Sequence, residues 1–343
     1  MPRCVGSAGR IATAAIGVAF LLHAADPVAE RVAVVGGNCP RIIEDVAGQV
    51  RTFTTGQLGG LGVFRPDLVV VPAESGKVWR GISPTVLKEV FGRDKVVGLG
   101  RGGCELYVML GSDLGGVMLM PSDFAVQLVN FPTGIIAPPT LPETFLLHDG
   151  IQSYVAGVWD RGDPARDGFE GIARWRQRRN HWPVARQGNL LLWGADAPLS
   201  TLTEDGRRLF LALLRDHVRR PFVSFEEARP PKTFWPAGPI EDSLTPTALD
   251  NLYYFRPKRP GTIRAVLSWA RPERLSLVLN GPGQVVGWYA RYGREDGASP
   301  LRIEFQVTPE LVKQGDVPWR FSVTHYGGFA GRIDYRLDLD FPD

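Results

Sequence analysis

The hydrophobic period of this chain changes near residue 247, and that change constrains its folding more than any other feature. In Leu301-Arg-Ile-Glu-Phe-Gln-Val-Thr308, the apolar residues Leu301, Ile303, Phe305 and Val307 alternate with Arg302, Glu304, Gln306 and Thr308. Successive side chains of a strand point to opposite faces, so this segment is a strand with one buried face. The alternation recurs in Trp319-Arg-Phe-Ser-Val323 and from Tyr335 to Phe341, with turn signals at Asn280-Gly-Pro-Gly283 and Tyr326-Gly-Gly328 between. An antiparallel β-sandwich is the expected result.

Before residue 222 the pattern differs. Unbroken apolar runs at Arg31–Val35, Asp67–Pro72, Lys95–Gly100 and Asn189–Trp193 are each followed by a helical stretch. Strands apolar on both faces belong to a parallel sheet covered by helices. Helices are expected at about 41–50, at 83–91 with Ser83 as cap and Pro84 in the first position, at 105–110, and at 204–219 after the cap-like Thr203. Between the two patterns lies a stretch with prolines at 230, 231, 236, 239 and 246. The expected division is a signal peptide at 1–27, an α/β domain at 28–225, a proline-rich linker at 226–246 and a β-sandwich at 247–343.

Arg3 and Arg10 precede the uncharged stretch Ile11–Leu22, and small residues at Ala24 and Ala25 follow, the layout of an export signal. This twelve-residue stretch, interrupted only by Thr13, falls short of the roughly 20 residues that span a bilayer. The expectation is a periplasmic or secreted protein with no stable membrane span after cleavage. With 39 Lys plus Arg against 36 Asp plus Glu, the net charge of +3 is too small to imply a nucleic-acid partner. Three cysteines exclude a four-cysteine zinc site, and neither Cys-x-x-Cys nor His-Glu-x-x-His occurs. No metal is expected.

Val96-Val-Gly-Leu-Gly-Arg-Gly-Gly-Cys-Glu105 turns a strand sharply into a helix, as glycine permits. It also spells Gly98-x-Gly100-x-x-Gly103, the dinucleotide fingerprint, but in a later βα unit and without an acidic residue ending the next strand. No cofactor is expected. The segment resembles the nucleophile elbow of class I glutamine amidotransferase-like domains, strand, Gly-x-Cys-x-Gly, helix. Gly98 and Gly102 match the flanking glycines, and the nucleophile falls on Gly100. Leu192-Trp-Gly-Ala-Asp196, Leu202-Thr-Glu-Asp-Gly206 and Leu209-Phe210 are similar to the family's late strand end, turn and helix. That resemblance puts the base near Gly194 and the acidic partner near Asp196, and implies loss of amidotransferase activity. From residue 247 onward, Asn251–Arg256, Leu275–Gly283 and Trp319–Gly328 resemble the bacterial pre-peptidase C-terminal domain, with Ser276 and Val278 replacing its usual acidic pair. The expected fold class is therefore α/β, an open, mostly parallel flavodoxin-like or amidotransferase-like sheet, plus a jelly-roll-like antiparallel sandwich.

Three functional expectations follow. The first is an exported, non-catalytic protein binding an unidentified small molecule or envelope component in the cleft at the strand ends, through Gly36, Gly37, Gly100, Arg101 and Gly102. The second is a cysteine hydrolase in which Cys104, in the first helical turn, works with His148 or His181; a Cys39–Cys104 disulfide is the competing use of the same thiol. The third is recognition of an anionic glycan or lipid by the segment Arg174–Arg186, through Arg176, Arg178, Arg179 and Trp182. The alternative for that segment is a solvated helix face anchored by its tryptophans.

Overall fold

The computed structural model describes residues 27–114, 120–122, 124–130, 140–149, 153–155, 157–159, 168–176, 181–229, 233–245, 250–282, 289–313, 318–325 and 329–343. The segment 1–26 expected to be a signal peptide, and Arg178 and Arg179, lie outside them.

The first part is a nine-stranded sheet built from β1 (Ala29–Val35), β2 (Ala47–Phe53), β3 (Leu68–Val71), β4 (Val96–Leu99), β5 (Ala125–Leu128), β6 (Thr144–Leu146), β7 (Glu170–Trp175), β8 (Val184–Gln187) and β9 (Leu190–Trp193). Its order is β2-β1-β3-β4-β9-β8-β7-β5-β6. The first five strands run parallel, while the pairings β9-β8, β8-β7, β7-β5 and β5-β6 are antiparallel. The sheet is thus mixed, where a mostly parallel one was expected. The difference lies in the strands between Ala125 and Gln187, which pair antiparallel and among whose described residues there is no helix.

Helices cover both faces of the parallel half. On one face α1 (Arg41–Glu44) and α5 (Glu204–Arg219) pack Ile42, Ile43, Leu209, Phe210 and Leu213 onto Val32, Val34, Val70, Val97 and Leu191. On the other, α3 (Pro84–Phe91) and α4 (Gly100–Leu110) pack Leu87, Phe91, Leu106, Tyr107 and Leu110 onto Ala33, Val35, Val69, Val71, Val96 and Leu192. The short α2 (Gly60–Phe64) adds Leu61 to that second layer. Pro84 opens α3 and Thr203 caps α5 as the sequence predicts, the Thr203 hydroxyl accepting from the Gly206 amide at 2.9 Å. The helix expected over 41–50 ends at Glu44. Its second half becomes the edge strand β2, because pairing Val50 and Thr52 with β1 satisfies backbone groups that a four-residue helix leaves open.

The second part is a sandwich of two four-stranded antiparallel sheets. One has the order β10 (Gly238–Leu244), β17 (Ile333–Asp340), β12 (Gly261–Trp269), β15 (Leu301–Val307). The other has β11 (Asp250–Phe255), β16 (Trp319–Thr324), β13 (Leu275–Pro282), β14 (Tyr289–Gly297). The expected alternation holds: Trp319, Phe321 and Val323 face the core with Ile333, Tyr335, Leu337 and Leu339. The proline-rich stretch read as linker supplies β10, with Ile240 and Leu244 in the core. Pro239 is tolerated there because β10 is an edge strand.

Candidate functional site

The parallel strands leave the order 2-1-3-4-5 when β9 is counted as the fifth. Open sheets of that order place a crevice between the first and third strands, where the connections diverge to opposite faces. The residues following β1, β3, β4 and β9 here enclose a cleft of about 1060 Å³. Asn38, Cys39 and Pro40 come from the first loop, Ala73, Glu74 and Lys77 from the third, Leu99 and Arg101 from the elbow, and Asp196 to Leu199 from the last. Arg41 and Asp45 on α1 and Arg207 on α5 complete the rim.

The sharp strand-to-helix turn forms, with Gly100, which has no side chain, at its apex. Gly100 has φ +46°, a left-handed conformation that penalises any side chain. A Cβ there would stand 2.6 Å from Asp196 Oδ1 and 2.9 Å from the Ala73 Cβ. Asp196 fills this space because its Oδ1 accepts a hydrogen bond from the Arg101 amide at 3.1 Å, placing a carboxylate at the positive end of α4. Asp196 is thus a helix cap. The resemblance implied instead an acidic partner of a base near Gly194. The neighbouring glycines serve packing: a Cβ on Gly102 would come 2.0 Å from Pro72 O, and one on Gly103 2.3 Å from the Gly98 Cα. With the Arg101 amide engaged and this backbone closed against itself, the fingerprint spelling reflects helix–strand packing. Of the five cleft residues proposed from the sequence, Arg101 lines the cavity, while Gly36, Gly37, Gly100 and Gly102 shape the turns behind it.

Below the elbow, Glu105 is buried in the first turn of α4, its Oε1 accepting from Arg101 Nε at 2.8 Å and lying 3.5 Å from an Arg80 nitrogen. The two guanidinium groups hold this carboxylate under the protein surface. No sequence signal distinguished Glu105 from an ordinary helical glutamate.

Cys104 and His148 lie on opposite faces of the sheet and form no pair. Cys104 is wholly buried on the α4 side of the sheet, and burial, with Asp196 and Glu105 nearby, pushes its thiol far above the ordinary range. A thiol so held supplies no thiolate nucleophile. His148 lies on the opposite face, against Phe124 and Trp193. Trp193 Nε1 donates to its Nε2 at 3.1 Å, and its Nδ1 lies 3.0 Å from the Thr201 hydroxyl. Burial lowers its pKa from 6.5 to about 4, so it is a neutral structural imidazole. His181 is buried in a two-stranded ribbon with Trp159 opposite it and the Trp175 ring edge-on at 5.6 Å. Cys39 and Cys104 are both free thiols, so no disulfide joins them. Cys39 lines the cleft, its thiol pushed up to about 11 by burial and by Glu44.

The described residues of the Arg/Trp segment lie mainly in strands, not on a helix face. Arg186 is buried on β8, with its guanidinium 2.6 Å from both Glu170 Oε2 and Asp216 Oδ2. Arg174 donates to Gln127 Oε1 at 2.7 and 2.9 Å. Trp175 and Trp182 are buried, the latter against Gly171. Trp182 is therefore unavailable to stack on a sugar, and Arg176 is the exposed cation of this group among the described residues.

Among the described residues, no group of three or more His, Cys, Asp or Glu could hold a metal ion, and no helix is long and apolar enough to cross a membrane.

No family model matches the chain, and no curated protein matches it. Among solved structures, the pre-peptidase C-terminal domain of a collagenase from Bacillus anthracis is similar over 30% of this chain and 90% of its own, at 15% identity and a TM-score of 0.24. The Yersinia pseudotuberculosis-derived mitogen is similar over 31% of this chain and 85% of its own, at 16% identity and a TM-score of 0.23. PirA is similar over 31% and 96% respectively, at 10% identity and a TM-score of 0.22.

Proposed function

We propose that this is an exported, non-catalytic ligand-binding protein of the bacterial envelope, using a flavodoxin-like α/β domain whose elbow resembles a degenerate amidotransferase site. The observation that carries this reading is the pairing of an open switch-point cleft with an elbow apex closed by Asp196. A cleft of this volume accommodates a small molecule, while the position that would hold a nucleophile has no room for one. The burial of Cys104 favours this reading over the hydrolase alternative. The burial of Trp182 weighs against its part in the glycan or lipid alternative, whose Arg178 and Arg179 lie outside the described residues. The export signal expected at 1–27 supports the location, and N-terminal sequencing of the protein recovered from the periplasm or medium tests it.

The binding role is tested by a thermal-shift screen of small envelope metabolites against the wild type and Ala197→Trp, which fills the cleft from its wall. Compounds that raise the wild-type Tm and leave the variant unchanged are expected. A screen in which every active compound acts equally on both proteins would overturn the reading, provided the unliganded variant melts like the wild type.

A further inference from the structure

Several charged side chains of this domain form ion pairs: Arg31 with Asp67, Lys88 with Glu226, Arg208 with Glu204 and Asp205, Arg229 with Asp113. The rim of the cleft carries cations that form no such pair. Arg41 on α1, Lys77 in the 3-10 turn after β3 and Arg207 in the first turn of α5 are exposed at its rim, and none pairs with a carboxylate among the described residues. Its acids are largely engaged by the protein's own backbone. Glu74 Oε1 accepts from the Asn38 amide at 3.1 Å, and Asp196 caps α4. Asp45 is the one acid of the lining without such a bond among the described residues. Between these charges the wall is apolar, formed by Pro40, Ile42, Leu99, Ala197, Leu199 and Leu202.

Three cations from three separate elements, set around an apolar wall, focus positive potential into the cleft and offer two guanidinium forks. We propose that the cleft binds an amphiphilic anion, with an apolar body against Ile42, Ala197 and Leu199 and a carboxylate or phosphate head at Arg41, Lys77 and Arg207. This inference rests on the ligand-binding reading of the same cleft and names the chemical class of its ligand. The apolar wall supplies affinity through buried area. The cations select the sign of the head and supply its hydrogen bonds.

Calorimetric titration with octanoate, octyl phosphate, octanol and octyltrimethylammonium tests this, using wild type, the triple variant R41Q/K77Q/R207Q and Ala197→Trp. The two anions should bind at least about tenfold tighter than octanol, and the cation weakest of all. Tighter binding of octyl phosphate would assign a phosphate head, and tighter binding of octanoate a carboxylate. The triple variant should lose that tenfold preference, and the salt dependence of anion binding, while binding octanol as before. All three side chains are exposed, so its melting temperature reports an intact fold. If octanol matches the anions, or the triple variant keeps the preference, the anionic class is wrong while the cleft remains a binding site. If no probe binds, or binding survives Ala197→Trp unchanged, the cleft reading fails with it.

Discussion

Replacing Gly100 by alanine probes the closed elbow most directly. The new Cβ costs twice. At φ +46° an L-residue pays about 1–2 kcal/mol for the left-handed conformation. The same atom would lie 2.6 Å from Asp196 Oδ1 and 3.0 Å from its Cα, so the carboxylate must move and the Arg101 amide loses its acceptor. A hydrogen bond to a charged group contributes roughly 1.5–3 kcal/mol. The sum is about 3–5 kcal/mol. Gly111 supplies the control, because it too has positive φ, +71°, but a Cβ there meets nothing within 4 Å. Gly111→Ala should therefore cost about 1–2 kcal/mol, the conformational part alone. Urea unfolding of both variants with unchanged m values measures the difference. Equal losses would mean that Asp196 does not close the apex, and the argument against a nucleophile position at residue 100 would collapse.

Peptide mapping after iodoacetamide treatment of native protein should find Cys39 labelled and Cys104 unlabelled until denaturant is added. Because the Cys39 thiol sits near 11, its labelling rate should keep rising beyond pH 9. His148 and His217 are both held below their ordinary 6.5, at about 4 and about 3, by burial, and His217 also by the adjacent Arg186 and Lys95. A lowered folded pKa means the unfolded chain binds the extra proton first. The stability these groups contribute is complete above pH 6.5 and drains away as pH falls, by about 3 kcal/mol for His148 at pH 4. Unfolding of His148→Gln should show a shallower acid slope than the wild type between pH 6.5 and 4; an identical slope would refute the assignment. Thr203→Ala removes the cap of α5 and the donor to Leu146 O at 2.6 Å, and should lower stability by about 1–2 kcal/mol in the same assay.

What the sequence revealed and what it concealed divide along one physical line. Period and capping are local, so the strands ending at Val35, Val71, Leu99 and Trp193, the helix from Glu204 and the inward rows of the sandwich were legible. Charge engagement is nonlocal. Arg186 looked like one more surface arginine until folding set it between Glu170 and Asp216, 16 and 30 residues away. The cations of the cleft lie at positions 41, 77 and 207, and no spacing rule unites them. Glycine misled in a different way. A glycine permits close approach of either a ligand or the chain's own backbone, and the spelling at 98–103 cannot distinguish them. The folded chain does: Pro72, Asp196 and Gly98 stand within 3 Å of where side chains on Gly102, Gly100 and Gly103 would project.

The vacancy at Gly100 and the carboxylate of Asp196 are two sides of one arrangement. An elbow that opens a helix exposes the Arg101 amide at the positive end of α4, and that donor requires an acceptor. In a catalytic elbow the transition state supplies it for an instant; here Asp196 supplies it permanently, and it fits because no side chain projects from residue 100. The bond also fixes the loop after β9, which carries Ala197 and Leu199, the apolar wall of the cleft. The same bond that caps α4 therefore anchors the surface against which a ligand would rest. Asp196→Asn keeps an acceptor and removes the charge, so it should preserve the wall. Asp196→Ala should loosen it, and weaken octyl phosphate binding beyond anything the rim cations explain.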